Sequence, residues 1–415
     1  KNNYGWIFRP KNCTSMSYRF SRSSKDSRVY YFSLGRNAMY AVLKLLKISS
    51  NDEVLTPAWD CDGALQPFRA VGCKMVFYKT HPYTFEIDLN HVHTLISEKT
   101  KLIHIVNHFG QPQDWGKILL LRNEVNVPIL EDNAYSYLSG INGKAFGGFG
   151  DFSIFSLRKH LPILDGGALY INSSIDYHFK GRRRWLYPEQ YGLAKNLFIK
   201  RPIYRFVSMI KVLVGLRGKS ILGRPKIIEE ESNPSDNEYW FPLYSNGNKQ
   251  FPPGERDIED NTFYCDYERP ISHFSRILLR SYTARRLRRI AEKKRSLYSF
   301  LAERLSQIEG LKILHPTLED SVVPYCLSFV IGKERDEIFY YLRDKKYPVW
   351  VWPSLPEEVL ENLIEYPEVE LLGRNLLQII LQTKLSKEFY ISLVNDLSFL
   401  LSNNNILQDE HTLDK

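Results

Sequence analysis

Residues 152–167 read FSIFSLRKHLPILDGG, and the fold turns on how this stretch is parsed. A short strand pattern at 152–155 runs out into Ser156 and Lys159, and the turn Asp165-Gly166-Gly167 leads into a second strand at 168–172. A lone lysine in a loop is ordinarily a solvated charge. This one stands beyond a strand, between a hydroxyl donor and a Gly-Gly turn, a position that points it into a site. A partly desolvated lysine gives up its proton more readily, which makes Lys159 a candidate nucleophilic amine for a Schiff base.

Upstream, short apolar strands at 53–56, 74–78, 102–107 and 127–131 alternate with helical patterns at 36–46, 63–71, 89–98 and 115–123. Such alternation predicts an α/β fold with a mostly parallel sheet covered on both faces. Ligands then bind past the carboxyl ends of the strands. Two groups fall there. Ser33, Gly35, Arg36 and Asn37 open the first helix, with Ser33 able to cap it and the free N–H groups suited to a phosphate. Glu131-Asp132 closes an apolar strand; the ordinary role of such an acid is a helix cap or a surface charge, and the functional one is a carboxylate held beneath a cationic ring nitrogen.

Downstream the organisation changes. Between residues 181 and 226 there are twelve Lys/Arg and a single acid, Glu189, and a second basic stretch runs from 280 to 295. Residues 197–216 (LFIKRPIYRFVSMIKVLVGL) read either as a membrane-surface segment or, with Pro202 breaking the helix near its start, as an amphipathic helix capping the core. Residues 229–254 read as a loop. A long basic helix is expected at 275–307, and strands and helices alternate again at 311–314, 326–330, 335–345, 349–352, 377–380 and 387–401. The expected division is an extension at 1–30, a large domain at 31–275 with an excursion at 181–262, a connecting helix at 276–310, a smaller α/β domain at 311–402 and a tail at 403–415.

Composition narrows the class. The 415 residues are 43% apolar and 25% charged, enough for full-sized cores and unlike a disordered chain. The five cysteines, Cys13, Cys61, Cys73, Cys265 and Cys326, lack CxxC spacing, which predicts reduced thiols and no metal site. No apolar run reaches the ~20 residues of a membrane span, and residues 1–10 lack a signal-peptide core. The expectation is a soluble cytoplasmic protein. The net charge of +9 comes without a nucleic-acid-binding signature, so no nucleic-acid partner is expected.

The ordered motifs Gly35-Arg-Asn-Ala-Met-Tyr40, Asp52-Glu-Val-Leu-Thr-Pro57-Ala-Trp59, Asn107-His-Phe-Gly-Gln-Pro112, Glu131-Asp-Asn-Ala134, Phe149-Gly-Asp151 and Ser156-Leu-Arg-Lys159, with Asp165-Gly-Gly167, together resemble the DegT/DnrJ/EryC1/StrS family. That family comprises pyridoxal-phosphate-dependent sugar aminotransferases of fold type I. The likeness fades across 176–265 and returns weakly at 272–275 and 351–356.

The resemblance implies that Lys159 forms the imine with pyridoxal 5′-phosphate and that Asp132 pairs with its pyridine nitrogen. It implies a phosphate site at Gly35, Arg36, Asn37 and Ser156, with Ser153 a weaker alternative to Ser156. A ring-face residue is implied somewhere from Trp59 to Cys61. Tyr135 stands where the family commonly has Gln or His, and Gly35-Arg36 where it commonly has Gly-Thr. The implied reaction moves nitrogen from an amino acid, usually glutamate, to a nucleotide-linked keto sugar, in a homodimer. Two other readings stand beside it. A sugar dehydratase on the same fold would carry histidine for Lys159, and His160 is adjacent. A non-enzymatic binding or membrane-surface module would use 197–216.

Overall fold

The computed structural model describes residues 6–10, 18–22, 28–142, 144–172, 184–187, 190, 266–332, 335–352 and 354–402. The basic segment at 197–216, the loop at 229–254, Cys13, Cys265 and the tail beyond 402 lie outside the described residues.

Strands β1 (Trp6–Pro10) and β2 (Tyr18–Arg22) form an antiparallel hairpin that the sequence reading did not place. The main sheet follows from β3 (Arg28–Phe32), with α1 (Gly35–Leu45), β4 (Glu53–Pro57), α2 (Asp62–Val71), β5 (Lys74–Tyr78) and α3 (Leu89–Leu95). Then come β6 (Thr100–Val106), α4 (Trp115–Val125), β7 (Ile129–Asp132), the two-residue pair β8 (Gly140–Ile141) and β9 (Lys144–Ala145), β10 (Phe152–Ser156) and β11 (Gly167–Ile171).

The seven strands lie in the order β3-β11-β10-β7-β6-β4-β5. β10, β7, β6, β4 and β5 run parallel; β11 is antiparallel to both of its neighbours. Every residue of β4, β7 and β10 is buried, as a sheet covered on both faces requires.

Two helices depart from expectation for local reasons. α3 stops at Leu95, three residues early, because Ser97 leaves the helical path: its N–H donates to Thr100 Oγ1 (2.9 Å) and its hydroxyl to Glu53 Oε2 (2.6 Å). The long basic helix is two helices, α5 (His273–Arg280) and α6 (Ala284–Leu305). Thr283 starts the second, its hydroxyl accepting from Arg286 N–H at 3.3 Å.

The carboxyl-terminal part adds β12 (Leu311–Ile313), β13 (Cys326–Ile331), α7 (Arg335–Asp344), β14 (Val349–Trp350), α8 (Glu357–Leu360), α9 (Pro367–Asn375), β15 (Leu376–Ile380) and α10 (Lys387–Ser402). Its four strands form an antiparallel sheet ordered β12-β13-β15-β14. This sheet does not stand apart. Trp59, Phe68 and Phe109 share one buried cluster with Trp352, Leu355, Val359 and Leu372. Each such side chain contributes about 1.5–3 kcal/mol by burial. The exposed fork of Arg69 on Glu358 (2.8 and 3.2 Å) adds at most about 1 kcal/mol, so the apolar cluster holds the seam. No described helix is long and apolar enough to cross a membrane.

Candidate active site

β7 and β10 are adjacent and parallel, with Ile154 opposite Asp132, so both strands deliver their ends to one edge of the sheet. Asp132 is the last residue of β7. β10 ends at Ser156 and passes into one short turn, Leu157–Lys159. The lysine and the aspartate are thus brought together by strand pairing across a gap in sequence.

Lys159 is half-buried, with its amine 3.4 Å from the centre of the Tyr135 ring. Among the described residues it has no hydrogen-bond or ion-pair acceptor, and it lies over the π face of Tyr135. Burial pushes the ammonium down to about 8; Arg158 lowers it further, while Cys61, Asp132 and Asp60 oppose the shift. Tyr135 is itself enclosed by Phe109, Tyr325 and Trp352, at ring separations of 5.6, 5.2 and 5.8 Å. Lys159 therefore sits against an aromatic cluster, within electrostatic reach of Cys61, Asp132 and Asp60.

Asp132 is buried, and both of its oxygens are engaged. Oδ1 accepts from Ala134 N–H at 2.7 Å, and Oδ2 lies 3.3 Å from His104 Nε2. The adjacent Glu131 points to the opposite side and has another task. Its carboxylate accepts from the N–H groups of Gly147, Phe149 and Gly150, from Asn133 Nδ2 and from the Ser153 hydroxyl, at 2.7–3.1 Å. Glu131 thus folds the loop before β10, and it occupies Ser153. Strand alternation puts Ser153 and Ser156 on opposite faces, which removes Ser153 from the phosphate side.

The start of α1 is shaped by the Asp-Gly-Gly turn. Gly166 N–H donates to Ser33 C=O at 2.6 Å, and a side chain at Gly167 would place its Cβ 2.0 Å from Leu34 O. Only a bare backbone fits. Asp165 anchors the turn from beneath, accepting from Ser272 N–H and Oγ (2.8 and 2.6 Å). Ser33 does not cap α1, contrary to expectation: the N-cap is Leu34, with no side-chain acceptor, and Ser33 spends its backbone on Gly166 and Arg269. The first turn of α1 is therefore uncapped and free of acid, and Gly35 abuts Ser156, whose Cβ lies 3.5 Å from where a Gly35 Cβ would be. Gly167→Ala should lower stability by about 3 kcal/mol, because the overlap is with backbone. A urea unfolding midpoint equal to that of the wild type would show that Leu34 has room to move.

The remaining candidates sort by geometry. Asn37 is buried, and its Nδ2 donates to Asp266 O at 2.8 Å, so its side chain ties down a distant segment; only its N–H belongs to the helix start. Arg36 donates to Gln66 Oε1 at 3.0 Å and lies beside Gly63 and Cys61. Of residues 59–61, Trp59 is excluded from the site: it is wholly buried and stacked on Trp352 at 5.4 Å. Cys61 interacts with Lys159, and burial pushes its thiol up to about 11, so it stays protonated. His160 is turned away, its ring edge-on to Tyr137 and Tyr325 at 5.9 and 5.7 Å.

Sequence reasoning missed His104 and gave Asp60 no role beyond its place among the three ring-face candidates from Trp59 to Cys61. His104 lies within a predicted apolar strand and Asp60 between two candidate residues; a polar residue in an apolar run was the available signal. No cluster of three or more metal-ligating side chains occurs among the described residues.

The donor set fits pyridoxal phosphate: an amine without an acceptor, a buried carboxylate one strand away, and an uncapped helix start against a serine. Residues 2–178 match the model of the DegT/DnrJ/EryC1/StrS aminotransferase family. The chain is 31% identical to the GDP-perosamine synthase of Escherichia coli O157:H7, over 36% of this chain and 42% of that protein. It is 32% identical to the GDP-4-keto-6-deoxy-D-mannose 3-dehydratase of Yersinia pseudotuberculosis, over 32% of this chain and 34% of that protein. These matches span less than half the length of either relative. The aminotransferase TlmJ from Streptoalloteichus hindustanus shares the fold, with a TM-score of 0.61 over 90% of this chain and 86% of that one at 20% identity.

Proposed function

We propose, from the match of residues 2–178 to the DegT/DnrJ/EryC1/StrS aminotransferase family model, that this chain is a pyridoxal-phosphate-dependent aminotransferase. The donor is an amino acid, glutamate by the habit of the family, and the acceptor is a keto sugar carried on a nucleotide. One observation carries the reading: a half-buried amine, held near 8 and without an acceptor, stands one strand from a buried carboxylate.

The bound cofactor would supply an electron sink for the carbon that loses its proton. Lys159 would carry the aldehyde through its Nζ. Once displaced by the donor's amine, the same Nζ would take the proton from the donor's α-carbon and return it at the cofactor's C4′. Asp132 would hold the ring nitrogen's proton. The N–H groups of Gly35, Arg36 and Asn37 and the Ser156 hydroxyl would hold the phosphate. Cys61 would lie toward the ring. The guanidinium of Arg36 or Arg158 would receive an anionic group of donor or acceptor, since the Arg fork suits carboxylate and diphosphate alike.

The dehydratase alternative would need histidine where Lys159 stands; His160 packs between tyrosines instead. The membrane-surface alternative rests on 197–216, outside the described residues. Cys61, Cys73 and Cys326 are free thiols, which suits a reducing, cytoplasmic setting. A homodimer is part of the proposal, on family grounds.

The protein mixed with pyridoxal phosphate should develop an imine absorbance that glutamate shifts. The rate of cofactor capture should rise with pH through about 8, because the neutral amine is the nucleophile. No imine band at any pH from 6 to 9 would overturn the proposal.

A further inference from the structure

His104 lies in the middle of β6, between β4 and β7, and is fully buried. Its ring has carboxylates on both sides. Nε2 is 3.3 Å from Asp132 Oδ2; Nδ1 is 2.9 Å from Thr56 Oγ1 and 3.7 Å from Asp60 Oδ2. The ring is wedged by Phe68, edge-on at 5.5 Å, and its backbone carbonyl accepts from Tyr78 OH at 2.8 Å. This contact with Asp132 plays no part in the chemistry described above.

Hydrogen-bond inventory assigns the tautomer. An ionised carboxylate can only accept, so the contact with Asp132 is attractive only if Nε2 carries a proton. Thr56 can then donate its hydroxyl to Nδ1. Asp60 does not compete. Its Oδ1 accepts from Cys61 N–H at 2.7 Å and its Oδ2 is buried without a hydrogen bond. Burial pushes its carboxyl up to about 7, so it gives up its charge as the pH falls below that. An imidazole with Nδ1 satisfied on one side presents its Nε2–H to Asp132 on the other.

We infer that His104 is a positioning residue for Asp132: its Nε2–H holds the Asp132 carboxylate oriented at the place where the cofactor's ring nitrogen is received. The inference rests on the proposed function, since it assigns Asp132 that nitrogen. Asp132 has a backbone N–H on one oxygen and this imidazole on the other, so the donors fix the plane of the carboxylate and leave its remaining lone pairs for a ligand. A carboxylate held on both oxygens loses little freedom when the ring nitrogen arrives, which is the benefit of supporting contacts around a ligand group.

The test uses the full-length protein and pyridoxal phosphate itself, with the dissociation constant measured by fluorescence quenching and the unfolding midpoint of the cofactor-free protein as a control. His104→Leu removes the donor and should weaken binding about tenfold, the scale of one hydrogen bond to a charged group. His104→Gln, which can still offer an N–H near the Nε2 position, should bind within about threefold of wild type. In an Asp132→Asn background, His104→Leu should cause at most a small further weakening, because the charge through which it acts has gone.

Wild-type affinity in a folded His104→Leu variant would overturn the inference. So would a folded His104→Gln variant as weak as His104→Leu, or a full additional loss in the Asp132→Asn background. Should His104→Leu fail to fold, the His104→Gln affinity decides alone: a loss of tenfold overturns the inference. A wild type that takes up no pyridoxal phosphate overturns the proposed function itself, an outcome separate from normal uptake by wild type and His104→Leu alike.

Discussion

Lys159→Ala should abolish turnover, by on the order of 10⁴-fold or more, while pyridoxal phosphate still binds without a covalent bond. Proton transfer by a positioned group is alone worth about 10²–10⁴-fold, and in the proposed function this amine is also the nucleophile. Nothing nearby can replace it. The Cys61 thiol is held protonated, and the His160 ring is packed between Tyr137 and Tyr325. The proposed phosphate side, the start of α1 and Ser156, does not depend on the lysine, so residual binding is part of the expectation. Borohydride treatment of the loaded wild type should add the reduced cofactor's mass to the protein, and Lys159→Ala should show no such adduct. Turnover within tenfold of wild type in the alanine variant would remove Lys159 from the role.

The second large effect is expected at Asp132. Asp132→Asn keeps the shape and removes the charge that would keep the ring nitrogen protonated. The expected loss in kcat/KM is about 10³-fold, near 4 kcal/mol of transition-state stabilisation. Cofactor affinity should fall less, about 10- to 100-fold, because a single hydrogen bond to a charged group is worth about 1.5–3 kcal/mol. The split between the two numbers is the informative quantity. Equal losses in affinity and turnover would mean that Asp132 only anchors the ligand. The neighbouring Glu131 is a poor control despite its similar position in sequence, since it holds the loop at Gly147–Gly150.

Much of the proposed site could be read along the chain because it is local. Lys159 and the Gly-Gly turn stand in one stretch of sequence, Asp132 ends an apolar run, and Gly35 opens a helix. Strand patterns that were continuous and apolar appear within a few residues of where they were read, since a parallel sheet buried on both faces leaves no polar alternation to misread. The misreadings share a different character. Ser33 looked like a cap, but its backbone is taken by Gly166 and Arg269, and the latter is remote in sequence. The basic pattern at 275–307 looked like one helix because charge and apolar spacing run through Tyr282 and Thr283, while one hydroxyl bond restarts the chain there. Trp59 was a ring-face candidate until Trp352, nearly three hundred residues on, was seen to cover it.

The sequence alone determined the class of fold and the chemical inventory: which amine, which acid, which helix start. Periodicity and turn residues act over a few positions, so they are visible in a linear reading. The tertiary structure decided everything that depends on which strands are neighbours. It set Asp132 beside the strand that carries Lys159, turned Ser153 to Glu131 and left Ser156 against Gly35. It also placed His104 between two carboxylates, a relation that exists only because β6 lies between β4 and β7. Hydrogen bonds and burial act over a few ångströms of space, and the sheet order that sets those distances is not written at any one position in the chain.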